Sequence, residues 1–97
     1  MSYDIKFIPE AEETFNELVI QLRQRWGDRF VLKFEERVLK CLTIISQNPY
    51  FYPLAEDMLE IRKCLLHKNC SMLYTITNDV IFIVCFWDNR QDPLIIF

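Results

Sequence analysis

Arg62, Lys63, His67, Lys68 and Arg90 are the cationic or titratable side chains that could gather around a phosphate. Cleaving a phosphodiester without a metal needs a base, an acid and cations at the scissile group. Arg62 and Arg90 would supply charge if their strands are neighbours. His67, the lone histidine, is the general acid–base candidate by residue type. Each has a structural alternative. Arg90 can pair with Asp88 or Asp92 and simply fix a strand end, and a turn histidine is commonly solvated. No Ser/His/Asp set is written in the chain. Gly27 is the only glycine, which excludes a phosphate-cradling glycine loop. Cys41, Cys64, Cys70 and Cys85 contain no CxxC and have no histidine cluster beside them. Neither a metal site nor a cofactor is expected. The cysteines lie in apolar runs and read as reduced core thiols of a cytoplasmic protein.

The element that must deliver Arg90 is the stretch from Cys70 to Pro93. Two apolar, β-branched and aromatic runs flank Asn78-Asp79, and both of those residue types tolerate positive φ, so a two-residue hairpin turn is expected. The second run, Val80 to Trp87, is apolar without a break, as in a covered central strand. It stops abruptly at Asp88-Asn89-Arg90-Gln91-Asp92-Pro93. Before the hairpin, residues 59–66 read as a further strand, with Ile61, Lys63 and Leu65 on one face and Arg62, Cys64 and Leu66 on the other.

The first half of the chain reads differently. Residues 2–7 alternate as a strand with Tyr3, Ile5 and Phe7 on its dry face. Pro9 suits the first turn of a helix, and Glu10, Glu12 and Glu13 suit its positive end. Ala11, Phe15, Leu18, Val19, Leu22 and Trp26 form one helical face. Gly27 is placed for a left-handed C-terminal residue and Asp28 for the cap of the next helix. That second helix carries Phe30, Phe34, Val38, Cys41, Leu42 and Ile45 on one face and ends near Asn48-Pro49. The aromatic loop Pro49–Pro53 reads as a lid on the core rather than a base-stacking platform, because no basic residue is interleaved with its rings.

A chain of 97 residues with 52% apolar and 26% charged residues is expected to fold as a single domain over residues 1–97. Its net charge of −3 argues against a general nucleic-acid binder. No apolar run approaches the roughly 18 residues of a membrane span, and no signal peptide is read. Strand, helix, helix, then three strands gives a two-layer α+β domain, with a helical hairpin on one face of an antiparallel sheet (β-α-α-β-β-β).

Several local strings then carry a resemblance: Ile5-Lys6-Phe7 with Pro9-Glu10-Ala11, Asn48-Pro49 after the second helix, Ile61-Arg62-Lys63, Leu73-Tyr74-Thr75-Ile76, and the strand end Asp88-Asn89-Arg90-Gln91-Asp92-Pro93. With the element order, these make the chain resemble the RelE/ParE superfamily of bacterial type II toxins over nearly its whole length. The resemblance implies a toxin neutralised by a cognate antitoxin encoded beside it. RelE-like members cleave mRNA at the ribosome, and ParE-like members inhibit DNA gyrase.

Carried over position by position, the strand-end arginine of the ribonucleases matches Arg90, and a basic position on the first meander strand matches Arg62. A further arginine would fall near Ser71, and the C-terminal catalytic Tyr or His on residues 94–97, which do not titrate. The sequence is thus more like the ParE branch, with a RelE-like endoribonuclease or a non-toxic binding relative as alternatives. Trp87, Asp88, Asn89, Arg90 and Phe97 are the expected contact residues for target or antitoxin. One face of the meander should stay apolar and uncovered, presenting Val80, Phe82, Val84 and Phe86, or else Ile81, Ile83, Cys85 and Trp87. An antitoxin segment or a second copy of the chain, as a homodimer, would cover it.

Overall fold

The computed structural model describes residues 2–55, 60–68 and 70–88. Strand β1 (Asp4–Phe7) leads into helices α1 (Pro9–Trp26) and α2 (Asp28–Gln47). Strands β2 (Arg62–His67), β3 (Cys70–Thr77) and β4 (Val80–Asp88) follow. Pro9 sits in the first turn of α1, where its missing N–H costs nothing.

Gly27 alone separates the two helices. It has φ +89° and ψ 175°, so its φ is positive as expected but its ψ is extended rather than left-handed helical. Asp28 does not cap α2 through its side chain. It is the first helical residue, and its carboxylate accepts from Arg23 Nε at 2.8 Å instead. An exposed pair of this kind contributes little to stability.

The four strands form one sheet in the order β1-β4-β3-β2. Strands β2, β3 and β4 make the expected antiparallel meander. Asn78 adopts φ +55° in the hairpin turn, and Thr77 pairs with Val80. The sheet as a whole is mixed rather than purely antiparallel, because β1 lies parallel to β4, with Ile5 opposite Ile81. The helical hairpin returns the chain over the sheet before β2 begins, which leaves β1 running in the same direction as β4.

The core lies between the helices and one face of the sheet. Ala11, Leu18 and Leu22 from α1, and Val31, Phe34, Val38, Cys41 and Ile45 from α2, pack on Cys64, Leu66, Met72, Tyr74, Ile81, Ile83 and Phe86. These follow the helical faces read from the sequence, with Val31 as an addition. Trp26, expected on the same face, is instead 53% exposed and stacks on Phe30 with centroids 5.7 Å apart.

A β-bulge divides the sheet. Tyr74 pairs with Ile83, but Leu73 pairs with Cys85, so Val84 is an extra residue in β4. Side chains on β4 therefore change face at the bulge. Ile81, Ile83 and Phe86 all point to the helices, and neither of the two alternating sets expected from the sequence occurs. Beyond Ile83, β4 has no β1 partner. There Phe86 N–H donates to Thr14 Oγ1 of α1 at 2.9 Å, while that hydroxyl donates to Glu10 O at 2.9 Å.

Candidate functional site

Arg62 and His67 begin and end the same strand. Five residue steps along the strand separate them by about 16 Å, so they do not converge on one phosphate. Arg62 is opposite Tyr74, which is opposite Ile83. At the other end, His67 is opposite Cys70, which is opposite Asp88. The polar end of β4 thus faces the His67 end of the meander. Trp87 and Asp88 are half-buried there. Asn89, Arg90 and Phe97 lie outside the described residues, so the expected approach of Arg90 to Arg62 does too.

Arg62 is occupied by the loop that follows α2. Its guanidinium donates to Tyr52 O at 2.6 Å and makes a marginal contact with Tyr50 O at 3.5 Å. It also lies 5.0 Å from the centroid of the Tyr50 ring. The loop is stitched to β2 by backbone as well: Lys63 N–H donates to Pro53 O at 3.0 Å, and Ala55 N–H to Ile61 O at 2.7 Å. Tyr74, fully buried, donates its hydroxyl to Pro49 O at 2.8 Å. Burial pushes the Tyr74 hydroxyl up to about 12, although the nearby Arg62 charge works against that. The loop is a lid in part: Pro49 and Tyr52 turn inward, whereas Tyr50 and Phe51 stay exposed.

Under this lid Tyr52 Oη lies 3.5 Å from Cys41 Sγ. Cys64 hydrogen-bonds to Cys41 and, helped by Tyr52 and the Arg37 charge, holds the Cys41 thiol below its ordinary range against the opposing effect of burial. The Cys64 thiol is correspondingly pushed up, first by that shared hydrogen bond and then by burial. Burial raises Cys70 and Cys85 to about 11, with Asp88 and Glu10 as the respective lesser causes. All four thiols are buried and free. Among the described residues no group of three His, Cys, Asp or Glu side chains is placed to hold a metal. No helix among them is long and apolar enough to cross a membrane.

The face of the sheet away from the helices is less open than expected. Ser71, Leu73 and Cys85 are buried there, and Phe82 and Trp87 are half-buried. Leu65 of β2 stays exposed on that face, and further exposed apolar surface lies on the helical hairpin, at Ile20, Leu32 and Leu39. Between the helices and the end of β1 runs a groove of about 470 Å³. Phe7, Phe15, Val38, Leu39 and Leu42 line it, with Glu12 and Glu35 at its rim. The sequence does carry a signal for this groove. Leu39 is apolar and lies off the core face of α2.

The helical hairpin on one face of a mixed sheet, with β1 beside β4 and a meander of three strands, is the fold of the RelE/ParE toxins, as the sequence resemblance leads one to expect. Among solved structures, a chain of the chromosomal ParDE toxin–antitoxin system from P. aeruginosa superposes with a TM-score of 0.74. It is 12% identical, with 90% of this chain and 96% of that one covered. The E. coli DinJ-YafQ toxin–antitoxin complex gives 0.63 at 11% identity, covering 93% and 96%. The YoeB dimer from Staphylococcus aureus gives 0.62 at 16% identity, covering 90% and 97%. No protein-family model matches the chain, and no curated protein matches its sequence.

Proposed function

We propose that this chain is the toxin of a type II toxin–antitoxin pair, and that it acts in the ParE manner by gripping a protein target, DNA gyrase, rather than by cutting RNA. The observation that carries this reading is the superposition on the ParDE chain, which scores 0.74 where the YafQ and YoeB structures score 0.63 and 0.62. Arg62 adds support. Its guanidinium serves the aromatic loop, a role that requires no substrate phosphate. The apolar groove beside Phe7 and Leu39 takes the apolar side chains of the cognate antitoxin, and Trp87 and Asp88 at the end of β4, with Asn89, Arg90 and Phe97 after them in the sequence, supply contacts to the target.

The test is induction of the chain in growing cells, with and without the product of the neighbouring gene. The expected result is growth arrest with altered plasmid supercoiling, relieved by the neighbour. Codon-specific mRNA cleavage with normal supercoiling would assign the chain to the ribosome-directed branch. Unimpeded growth with no binding of the neighbour's product would remove the toxin reading altogether.

A further inference from the structure

At the corner where α1 meets α2, opposite the aromatic lid, three rings form a ladder beside a row of cations. Trp26 stacks on Phe30 with centroids 5.7 Å apart, and Phe30 meets His67 edge-on at 5.2 Å. Arg29, Lys33 and Arg37 are exposed along the adjoining edge of α2. Spacing by four residues sets successive cations about 6 Å apart along the helix. A cavity of about 200 Å³ opens between them, lined by Phe30, Lys33, Arg37 and His67 over the buried ring of Phe34. Arg37 is fixed in place by donating to Leu66 O at 2.8 Å. A guanidinium has five N–H donors, so that bond leaves others for a ligand.

The placement of charge runs against what the helix would choose for itself. Cations near a helix N-terminus oppose the macrodipole, yet Arg29 and Lys33 occupy the first two turns of α2. The acids of α1's first half, Glu10, Glu12, Glu13 and Glu17, belong to the opposite end of that helix. The carboxylate of Asp28 is matched by Arg23 at 2.8 Å. Glu36 lies within the row, and Asp88 lies across Cys70 from its His67 end. A chain of net charge −3 thus gathers a cationic strip where the rings are.

We infer that the ladder Trp26–Phe30–His67 with Arg29, Lys33 and Arg37 is a binding strip for single-stranded nucleic acid. Such strands offer planar bases to stack on rings and phosphates to meet cations, and basic residues interleaved with aromatics are the pattern that binds both. An acidic peptide would use the cations and leave uncovered the part of the Trp26 ring that its stacking on Phe30 keeps exposed. A duplex hides its base faces. The Pro49–Pro53 loop lacks interleaved cations, whereas Arg29 sits directly beside Phe30 and Lys33 lies one turn further along the same edge. This inference goes beyond the toxin reading and does not rest on it.

The experiment is fluorescence anisotropy of the full chain with short labelled single-stranded RNA and DNA, with duplex and polyglutamate as comparisons. The single strands bind, the duplex and polyglutamate bind more weakly, and affinity falls with salt at a log–log slope of about −2 for three phosphate contacts. Trp26→Ala weakens binding roughly five- to a hundredfold, the range expected for one lost stacking contact, and Trp26→Phe restores most of it. Lys33→Glu weakens it and flattens the salt slope. Trp26 and Lys33 are both exposed, so these variants fold, which far-UV circular dichroism checks. A difference between the RNA and DNA arms identifies the preferred strand. The inference is overturned if neither single strand binds at low salt, if Trp26→Ala and Lys33→Glu change nothing, or if polyglutamate competes equally.

Discussion

Replacing Arg62 by alanine separates a structural arginine from a catalytic one. The side chain makes one strong charge-assisted hydrogen bond, to Tyr52 O at 2.6 Å. The contact with Tyr50 O at 3.5 Å is at the limit of useful geometry and adds little. A hydrogen bond to a charged group is worth about 1.5–3 kcal/mol net. The cation–π contact with the exposed Tyr50 ring adds about 0.5–1 kcal/mol. Arg62→Ala should therefore destabilise the domain by about 2–4 kcal/mol. For a domain of this size that lowers Tm by roughly 10–20 °C. Arg62→Lys keeps the charge but loses the planar fork, and should fall between the two. Hydrogen exchange should quicken at the Lys63 and Ala55 amides, which tie the loop to β2. The assay is urea and thermal unfolding by circular dichroism beside exchange at those amides. A variant that keeps wild-type stability and loop protection but loses all toxicity would refute the reasoning and return Arg62 to the active machinery.

Thr14→Val is nearly isosteric but leaves Phe86 N–H without its acceptor, so urea unfolding should show a loss of about 1–3 kcal/mol; a neutral result would mean that the bulge finds another partner. Gly27→Ala meets no atom within 4 Å but forces a side chain to φ +89°, and should cost about 1–3 kcal/mol through backbone strain alone. Tyr74 is raised to about 12 by burial, so the folded state holds its proton more tightly than the unfolded chain. The stability it contributes is fully present below pH 10 and is lost between pH 10 and 12, by about 2–3 kcal/mol. Unfolding curves of wild type and Tyr74→Phe across that range should converge as pH rises, and parallel curves would show that the phenol does not titrate with folding.

The sequence makes the order of elements legible because each is locally consistent. Pro9, Gly27, Asn48-Pro49 and Asn78-Asp79 punctuate the chain where elements change, and the helical faces repeat with the right period. Less legible were features set by neighbours distant in the chain. The parallel pairing of Ile5 with Ile81 depends on where the helical hairpin returns. The bulge at Val84 sits inside an unbroken apolar run, where no polar residue marks a change of face. For the candidate site, residue type finds Arg62 and His67, and the strand legible over residues 59–66 already sets them apart. Residue type does not reveal that Tyr50 and Tyr52, ten or more positions away, hold the Arg62 guanidinium. The Trp26–Phe30–His67 ladder was legible only in half. Trp26 and Phe30 are one turn apart across Gly27, but His67 joins them through the sheet.

Strand order also sets a schedule for synthesis. β4 lies between β1 and β3, so the first strand made waits for the last described one before it can join the sheet. About seventy residues separate the end of β1 from the start of β4, which at ordinary elongation rates is roughly 4–15 s. Until then the ladder partners of Ile5 and Phe7 do not exist, and the core faces of both helices have no finished sheet to rest on. A nascent chain therefore carries these apolar surfaces unburied throughout the interval between the synthesis of β1 and that of β4. During that interval the antitoxin proposed above, if made nearby, would meet the same surfaces before the fold closes over them.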